Sequence, residues 1–455
     1  MTHLLHVQTQ TGTVGQLAFE SQDDRYSFTY SPAWSTRPGA FALSPHIPLN
    51  AEPSSPGSVH RFLANLLPEG RALDVASVMY QMSKDNTFGL VRMLGKEPVG
   101  ALSFRAVDDE ADPVGNANGE DEDDPQRRVI THEELSERIR ERDSMPFPVW
   151  DRKVRLSVAG YQDKLQVLVE GERISLVDGT TLSSTYILKP DSRNDGTPHM
   201  VANEHFCMTL ASRIGLPAAP VSIRRIPEPI LLIQRFDRAA VLDVDGVTAR
   251  SVHRLHIIDG CQALDLPVSF KYERNFGHTR DVRTIREGVS FEKLFSLESQ
   301  LEMPALARQW MLRWALFQLL IGNSDAHGKN LSFFVRPAGL APAPFYDLVS
   351  VQAYGEHVEQ EMALAYGDAF RLEEISPIEL ADFSNRTRIP RPLVARELIR
   401  MARAVKATAP DLAQSKIYEN EERDLVQRIS TFIVAQADRM IRMATELPKV
   451  DAALL

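Results

Sequence analysis

Hydrophobic and polar positions change period several times along the chain, and each change marks a new element. In the first 107 residues, segments 4–7, 16–19 and 26–30 are short and alternating, punctuated by Gly12 and Gly15, which predicts a β-meander. Segments 58–67 and 71–83 carry helical spacing, with Pro68-Glu69-Gly70 as the break between them. Residues 99–104 read as a closing strand.

A second pattern begins near Val154. Residues 155–158 read as a short strand, Ala159-Gly160-Tyr161-Gln162 as a turn, and 164–169 as the returning strand. A β-rich run over 184–189 ends in Lys189-Pro190. Over 200–214, Phe206, Leu210 and Ile214 recur at i, i+4 and i+8, which predicts a helix stopped by Gly215. Strands follow at 221–226 and 230–236. Beyond Val252 the spacing is mainly helical, at 291–297, 305–321, 393–405 and 421–447. The helix at 305–321 is apolar on almost every face, as the buried spine of a lobe would be. The expected architecture is α+β: a β/α module, a small β-rich lobe, and a large all-helical C-terminal lobe. Ligands usually lie in the cleft between such lobes.

Composition narrows the class. The chain has 455 residues, with 43% hydrophobic and 25% charged, which excludes wholesale disorder and fibrous classes. Net charge is −10, and the stretch 108–124 holds nine acidic residues with no Lys or Arg, which leaves −1 for the rest. Global charge therefore argues neither for nor against nucleic acid. That acidic stretch has too little apolar surface to offset its ordering entropy and reads as a linker, 108–128. The expected division is thus 1–107, 108–128, 129–240 and 241–455. No apolar run approaches the ~20 residues of a membrane helix, and the N-terminus carries no signal-peptide pattern. Two cysteines, Cys207 and Cys261, cannot build a disulfide framework and suit a reducing cytoplasm.

The strongest chemical pattern is Gly322-Asn323-Ser324-Asp325-Ala326-His327-Gly328-Lys329-Asn330, then an apolar strand 331–335, then Phe345-Tyr346-Asp347. A buried helix leads into it, and residues 336–342 turn the chain so that Asp347 returns toward Asn330. Phosphoryl transfer uses these parts: an Asp to accept the proton of the attacking hydroxyl, an Asn five residues on for Mg²⁺, and a later Asp for Mg²⁺ bridging the phosphates. Lys329 adds positive charge near the γ-phosphate. The competing reading is an ordinary Asn/Asp/Gly turn, which leaves His327, Lys329 and Asp347 without purpose. Upstream, Lys189 ends a buried-looking strand, where it can reach α- and β-phosphates; a surface lysine is the bland alternative. Glu204 on the next helix is its candidate partner, and an ordinary exposed helix-start Glu fits equally well. The turn 157–164 can lay backbone N–H groups on phosphates, although a plain hairpin explains it equally well. Gln234, Arg235 and Phe236 end the last strand of the small lobe, where an adenine hinge or a simple edge strand fits.

With these residues in place, the chain resembles the HipA-type serine/threonine kinases, the toxin component of HipBA toxin–antitoxin modules. The resemblance lies in 157–164, 185–189, Asn203-Glu204, 234–237, Cys261-Gln262-Ala263-Leu264, Lys271-Tyr272-Glu273, 322–330 and Phe345-Tyr346-Asp347. In the first module it includes Leu66-Leu67-Pro68 and Val99-Gly100-Ala101. It implies a two-lobed protein-kinase-like fold using ATP and Mg²⁺. It implies Asp325 as proton acceptor, Asn330 and Asp347 as Mg²⁺ ligands, and Lys329 as a catalytic cation. Nucleotide contacts implied are Ala159, Gly160, Tyr161, Gln162, Asp163, Lys164, Lys189, Gln234, Arg235, Phe236, His327 and Tyr346, with Asn330 and Asp347. Ser157 matches an autophosphorylated serine. The implied partners are a HipB-like helix-turn-helix antitoxin, through it operator DNA, and a protein substrate in translation such as an aminoacyl-tRNA ligase. Gln234 and the bulky Tyr161 depart from the family pattern.

Two rival functions remain open at this level: a small-molecule or lipid-headgroup kinase, and a non-catalytic corepressor held to an antitoxin. Arg396, Arg400 and Arg403 share one helical face, readable as a DNA- or partner-facing stripe or, more simply, as a solvated face. His253, His256 and Cys261 lack a second ligand pair, so a zinc site is not expected.

Overall fold

The computed structural model describes residues 1–49, 54–106, 126–155, 162–277 and 279–455. In chain order, β1 (Thr2–Thr9), β2 (Gly12–Glu20) and β3 (Arg25–Tyr30) form the meander, followed by α1 (Pro32–Ser35), α2 (Pro56–Leu66), α3 (Gly70–Met79), α4 (Thr87–Leu94) and β4 (Ser103–Ala106). Then come β5 (Gln126–Ile130), α5 (His132–Arg140), β6 (Val149–Trp150), β7 (Lys153–Val154), β8 (Leu165–Glu170), β9 (Arg173–Asp178), β10 (Tyr186–Pro190) and α6 (Met200–Arg213). After them follow β11 (Val221–Arg225), β12 (Pro229–Gln234), β13 (Arg238–Leu242), β14 (Ala249–Arg254), β15 (Ile257–Asp259), α7 (Gly260–Ala263), α8 (Phe291–Phe295) and α9 (Pro304–Ile321). The remainder is β16 (Ser332–Arg336), β17 (Gly339–Pro342), α10 (Pro377–Arg386), α11 (Arg391–Ala413) and α12 (Asn420–Glu446).

The chain divides into two compact units, one of residues 1–190, 224–258 and 334–339, the other of residues 191–223, 259–333 and 340–455. In the first, a sheet in the order β3-β2-β1-β4 carries α2 and α4, and a second sheet runs β11-β12-β10-β8-β9-β5. Side chains alternate across β8 as a period of two requires. Leu165 and Val167 enter a core with Trp150, Phe147, Leu188 and Leu232, while Leu168 packs on the other side with Val177 and Val252. Both faces are thus covered, which is why β8 reads as a nearly continuous apolar run.

The module at residues 1–106 is fastened to β13 and β14 by buried charge. Asp237 Oδ2 accepts from Arg238 at 2.7 Å, Arg235 at 2.9 Å and the Gly100 N–H at 2.9 Å. Glu97 accepts from Ser184 Oγ at 2.7 Å and lies 3.6 Å from Arg238. Burial pushes the Asp237 carboxyl up, but Arg235 and Arg238 outweigh it and hold it far below the usual carboxylate range. A buried ion cluster of this kind tolerates loss of one member badly, because the charge left behind has no water to turn to.

In the second unit, α6, α9, α11 and α12 pack together. From Trp310 to Ile321 nearly every residue of α9 is buried, so the helix is apolar on all sides. This part of the chain is not all-helical, contrary to its mainly helical spacing: Asp259, Ser332, Phe333 and 340–342 belong to a sheet ordered β15-β16-β17. β16 answers the apolar strand expected at 331–335, whereas β15 and β17, three and four residues long, are too short for a period of two to stand out. The chain as a whole is a mixed α/β protein. Helices α4 and α5 and strands β5 and β9 were also invisible to periodicity. α4 spans eight residues and is started by Asn86, whose side chain accepts the Gly89 N–H at 2.9 Å. The expected strand 155–158 and the acidic stretch 108–124 lie outside the described residues, apart from Arg155, which is not in a strand. Among the described residues no helix is long and apolar enough to cross a membrane. Both cysteines are buried free thiols.

Three buried histidines make stability depend on pH. Burial lowers His205 and His256 to about 4 each, and it lowers His327, beside Lys271 and Lys329, well below its ordinary value. Each ring takes its proton more readily in the unfolded chain, so each contributes full stability above pH ~6.5 and loses it as pH falls toward the folded value. The loss is at most about 1.4 kcal/mol per pH unit per histidine. Urea midpoints are therefore expected to fall between pH 6.5 and 4.5, and His256→Phe should flatten that slope by about a third. An unchanged slope in this variant would refute the assignment of His256.

Candidate active site

The second unit brings the Asp/Asn pattern into one buried loop. α9 stops at Gly322, whose φ of 65° is left-handed. A Cβ there would lie 2.6 Å from the Phe432 ring and 3.0 Å from Gln352 Cβ, so both backbone and space demand glycine. From Asn323 to Phe333 the chain is buried except at Asp325, which is exposed. β16 and β17 then turn the chain back to Asp347, itself at φ 51°.

Asn323, 1% exposed, ties the pieces together. Its Nδ2 donates to Gln318 Oε1 at 3.0 Å and to the Asp347 carbonyl at 3.3 Å, and its Oδ1 accepts the Asp325 N–H at 3.2 Å. Asn330 Nδ2 donates to Asp347 Oδ2 at 3.3 Å, and Asn330 Oδ1 accepts the His327 N–H at 3.0 Å. From α6, Asn203 brackets Ser350, accepting its N–H at 2.8 Å and donating to its carbonyl at 3.1 Å. The structure thus brings Asp325, Asn330 and Asp347 into one hydrogen-bonded assembly.

The flanking residues have fixed roles in the loop. Lys329 Nζ sits 2.6 Å from Asp259 Oδ2, and Asp259 also caps α7 by accepting the Gln262 N–H at 2.8 Å. His327 Nδ1 accepts the Lys329 N–H at 3.2 Å, and the ring stays neutral, so its proton is on Nε2. Tyr346 donates to the Lys329 carbonyl at 2.6 Å and shares a hydrogen bond with Ser332 at 2.8 Å. Burial pushes its phenol well above the ordinary value. Tyr272 donates to Asp325 Oδ1 at 2.8 Å. Asn330 and Asp347 offer hard oxygen donors, an amide carbonyl and a carboxylate, which suit Mg²⁺ completed by phosphate and water. Among the described residues no group of three or more His, Cys, Asp or Glu is placed to hold a metal.

The upstream residues lie in the first unit. Lys189 is 5% exposed on β10, and Lys164 is 3% exposed, so neither is a surface lysine. Leu188 pairs with Leu165, and continuing that register one residue sets Lys189 across from Lys164 on the same face of the sheet. Gln162 and Asp163 precede them, half-buried; burial raises the Asp163 carboxyl against the pull of Arg142 and Arg71. Gln234 is exposed, Phe236 is half-buried with its ring 6.1 Å from Phe334, and the Arg235 guanidinium is spent on Asp237 and Ser184. The Arg235 side chain therefore belongs to the buried charge cluster, and its N–H donates to the Thr185 carbonyl at 2.9 Å. Ser157, Ala159, Gly160 and Tyr161 lie outside the described residues. Glu204 is buried on α6 in the other unit, not exposed at a helix start.

Three residues of this site carried no role in the sequence reading. Asn323 stood inside the main motif as an ordinary turn residue. Tyr272 stood in Lys271-Tyr272-Glu273, 53 positions from Asp325. Asp259 is 70 positions from Lys329. Nothing in spacing announces such pairs. On α11, Arg396, Arg400 and Arg403 line one groove with Ala444 and Pro448, and Arg400 is paired with Glu397 at 3.0 Å.

Comparison with known proteins matches this architecture. Residues 5–105 match the model of the HipA N-terminal domain, and residues 156–411 match that of the HipA-like C-terminal domain. The chain is 40% identical over 440 residues to the serine/threonine-protein kinase toxin HipA of Shewanella oneidensis, covering 96% of each chain. It is also similar to the solved toxin–antitoxin complex of HipA, HipB and operator DNA from Shewanella oneidensis MR-1. That match has a TM-score of 0.85 at 39% identity and covers 98% of this chain and 100% of that one.

Because Asn323 serves three partners from a buried position, Asn323→Ala is expected to destabilise the protein by roughly 1–3 kcal/mol per partner left unpaired. Urea unfolding of the variant measures this. A midpoint equal to wild type would contradict the role of Asn323.

Proposed function

The chain belongs to the HipA family of serine/threonine-protein kinases, and on that premise we propose that Asp325, Asn330 and Asp347 form its phosphoryl-transfer site. ATP is the donor substrate. Mg²⁺, when bound, supplies positive charge against the developing charge on the phosphates. Asn330 and Asp347 would hold it. Asp325 receives the proton of the acceptor hydroxyl as the oxygen bonds to the γ-phosphorus and ADP leaves. Lys329 holds the loop through its ion pair with Asp259 and adds positive potential to it. His327, neutral, has an N–H at Nε2 to offer a phosphate oxygen, and Tyr346 fixes the loop beneath. Lys189 and Lys164 bind phosphates, with 159–164 as the phosphate loop. Gln234, the Arg235 backbone and Phe236 border adenine.

The observation that carries this reading is the Asn330–Asp347 hydrogen bond, with Asn323 linking both flanks of the loop to Asp325. An Asp/Asn turn without a ligand has no need to recruit a carboxylate 17 residues away. The fold that accompanies the reading is two-lobed and kinase-like, divided at 1–107, 108–128, 129–240 and 241–455. The acceptor is a protein Ser or Thr, with Ser157 as the autophosphorylated residue and a translation protein such as an aminoacyl-tRNA ligase as target, in the cytoplasm. The Shewanella complex supports a HipB-like antitoxin as partner, with operator DNA reached through it. A corepressor role is compatible with catalysis.

Asp325→Asn is expected to abolish transfer of labelled phosphate from ATP to protein, at least about 100-fold as for loss of a general base. Binding of ATP, read by calorimetry, should persist. Full transfer by this variant would overturn the assignment of Asp325. Label appearing on metabolites instead of protein would move the acceptor class to small molecules.

A further inference from the structure

Asp325 is the one exposed residue in the run from Asn323 to Phe333. An aspartate in that position samples several rotamers, and each unproductive one lowers the rate of proton acceptance. The backbone of Asp325 is held by Asn323, but that contact does not orient the carboxylate. The Tyr272 phenol does, donating to Oδ1 at 2.8 Å.

Tyr272 is itself held from several sides. Its ring meets the buried His327 ring edge-on, with centroids 5.1 Å apart and planes at 86°. Lys271 Nζ stands 5.3 Å from the ring centre. The Lys271 carbonyl accepts the Gly328 N–H at 2.9 Å, so the segment carrying Tyr272 is bonded to the loop carrying Asp325. On the other side, Glu273 accepts Arg286 Nε at 2.7 Å and the Ala365 N–H at 2.8 Å. The phenol is therefore presented from a fixed backbone. Val289, whose N–H donates to the Phe270 carbonyl at 2.8 Å, meets Gly328 so closely that a Cβ there would lie 2.5 Å from Val289 Cγ2.

Resting on the kinase reading above, we propose that Tyr272 is a positioning residue that sets the Asp325 carboxylate for proton acceptance. It acts through Asp325 and takes no proton itself. Its removal lowers turnover and leaves nucleotide affinity alone.

The test is a double-mutant cycle in the full-length protein. Tyr272→Phe removes only the hydroxyl and keeps the ring on His327, so folding is preserved; urea midpoints check this. Single-turnover rates with excess enzyme keep slow variants measurable. In the wild-type background Tyr272→Phe is expected to cut kcat about 10-fold with KM for ATP unchanged, the pattern of an interaction needed in the transition state. In the Asp325→Asn background the same change is expected to cost nothing further. An unaltered kcat in Tyr272→Phe, or an equal loss in both backgrounds, overturns the proposal while leaving Asp325 as the proton acceptor. Full activity of Asp325→Asn alone would instead remove the parent reading, and this proposal with it.

Discussion

One buried amide holds the site together. Asn323 is placed by the end of α9 and by Gly322, and from there it spans the helix, the loop and the returning segment at Asp347. A side-chain amide has two donors and an acceptor to distribute, and in a dry environment each unmade bond is costly. Satisfying all of them leaves one arrangement of three chain segments. The backbone at Asp325 and at Asp347 is thereby tied to the end of α9, a preorganisation that the proposed phosphoryl transfer would need.

Charge is handled differently in the two units. In the second, cations and anions are paired locally, Lys329 with Asp259 and Arg286 with Glu273 and Asp368. Burial and the charges of Lys271 and Lys329 all disfavour a proton on the His327 ring, which stays uncharged. In the first, the cluster of Glu97, Arg235, Asp237 and Arg238 fastens the N-terminal module, with Arg254 donating to the carbonyls of Gly100 and Leu102 beside it. Arg235 shows how one residue is read two ways. By sequence position it was a candidate ligand contact at a strand end, yet its side chain is committed to Asp237.

Much of this was legible in the sequence, for identifiable reasons. The Asp325–Asn330–Asp347 constellation could be read because a helix, a loop and a strand hairpin fix how far the chain travels before it returns. The spine α9 declared itself as a long run apolar on almost every face, and the helix α6 by apolar periodicity and a terminal glycine. Short elements fared unevenly: the apolar run at 331–335 marked β16, but β15 and β17, three and four residues long, fall below the length at which alternation separates from chance. Pairings between distant positions, Tyr272 with Asp325 and Asp259 with Lys329, have no local signature at all. They arise from tertiary packing that no window of sequence contains.

The most direct measurement is a crystal structure with a non-hydrolysable ATP analogue and Mg²⁺. The account predicts a metal ion bound by Asn330 Oδ1 and the Asp347 carboxylate, with the terminal phosphate turned toward Asp325. A metal held elsewhere, or a nucleotide whose phosphates lie away from these three side chains, would contradict it.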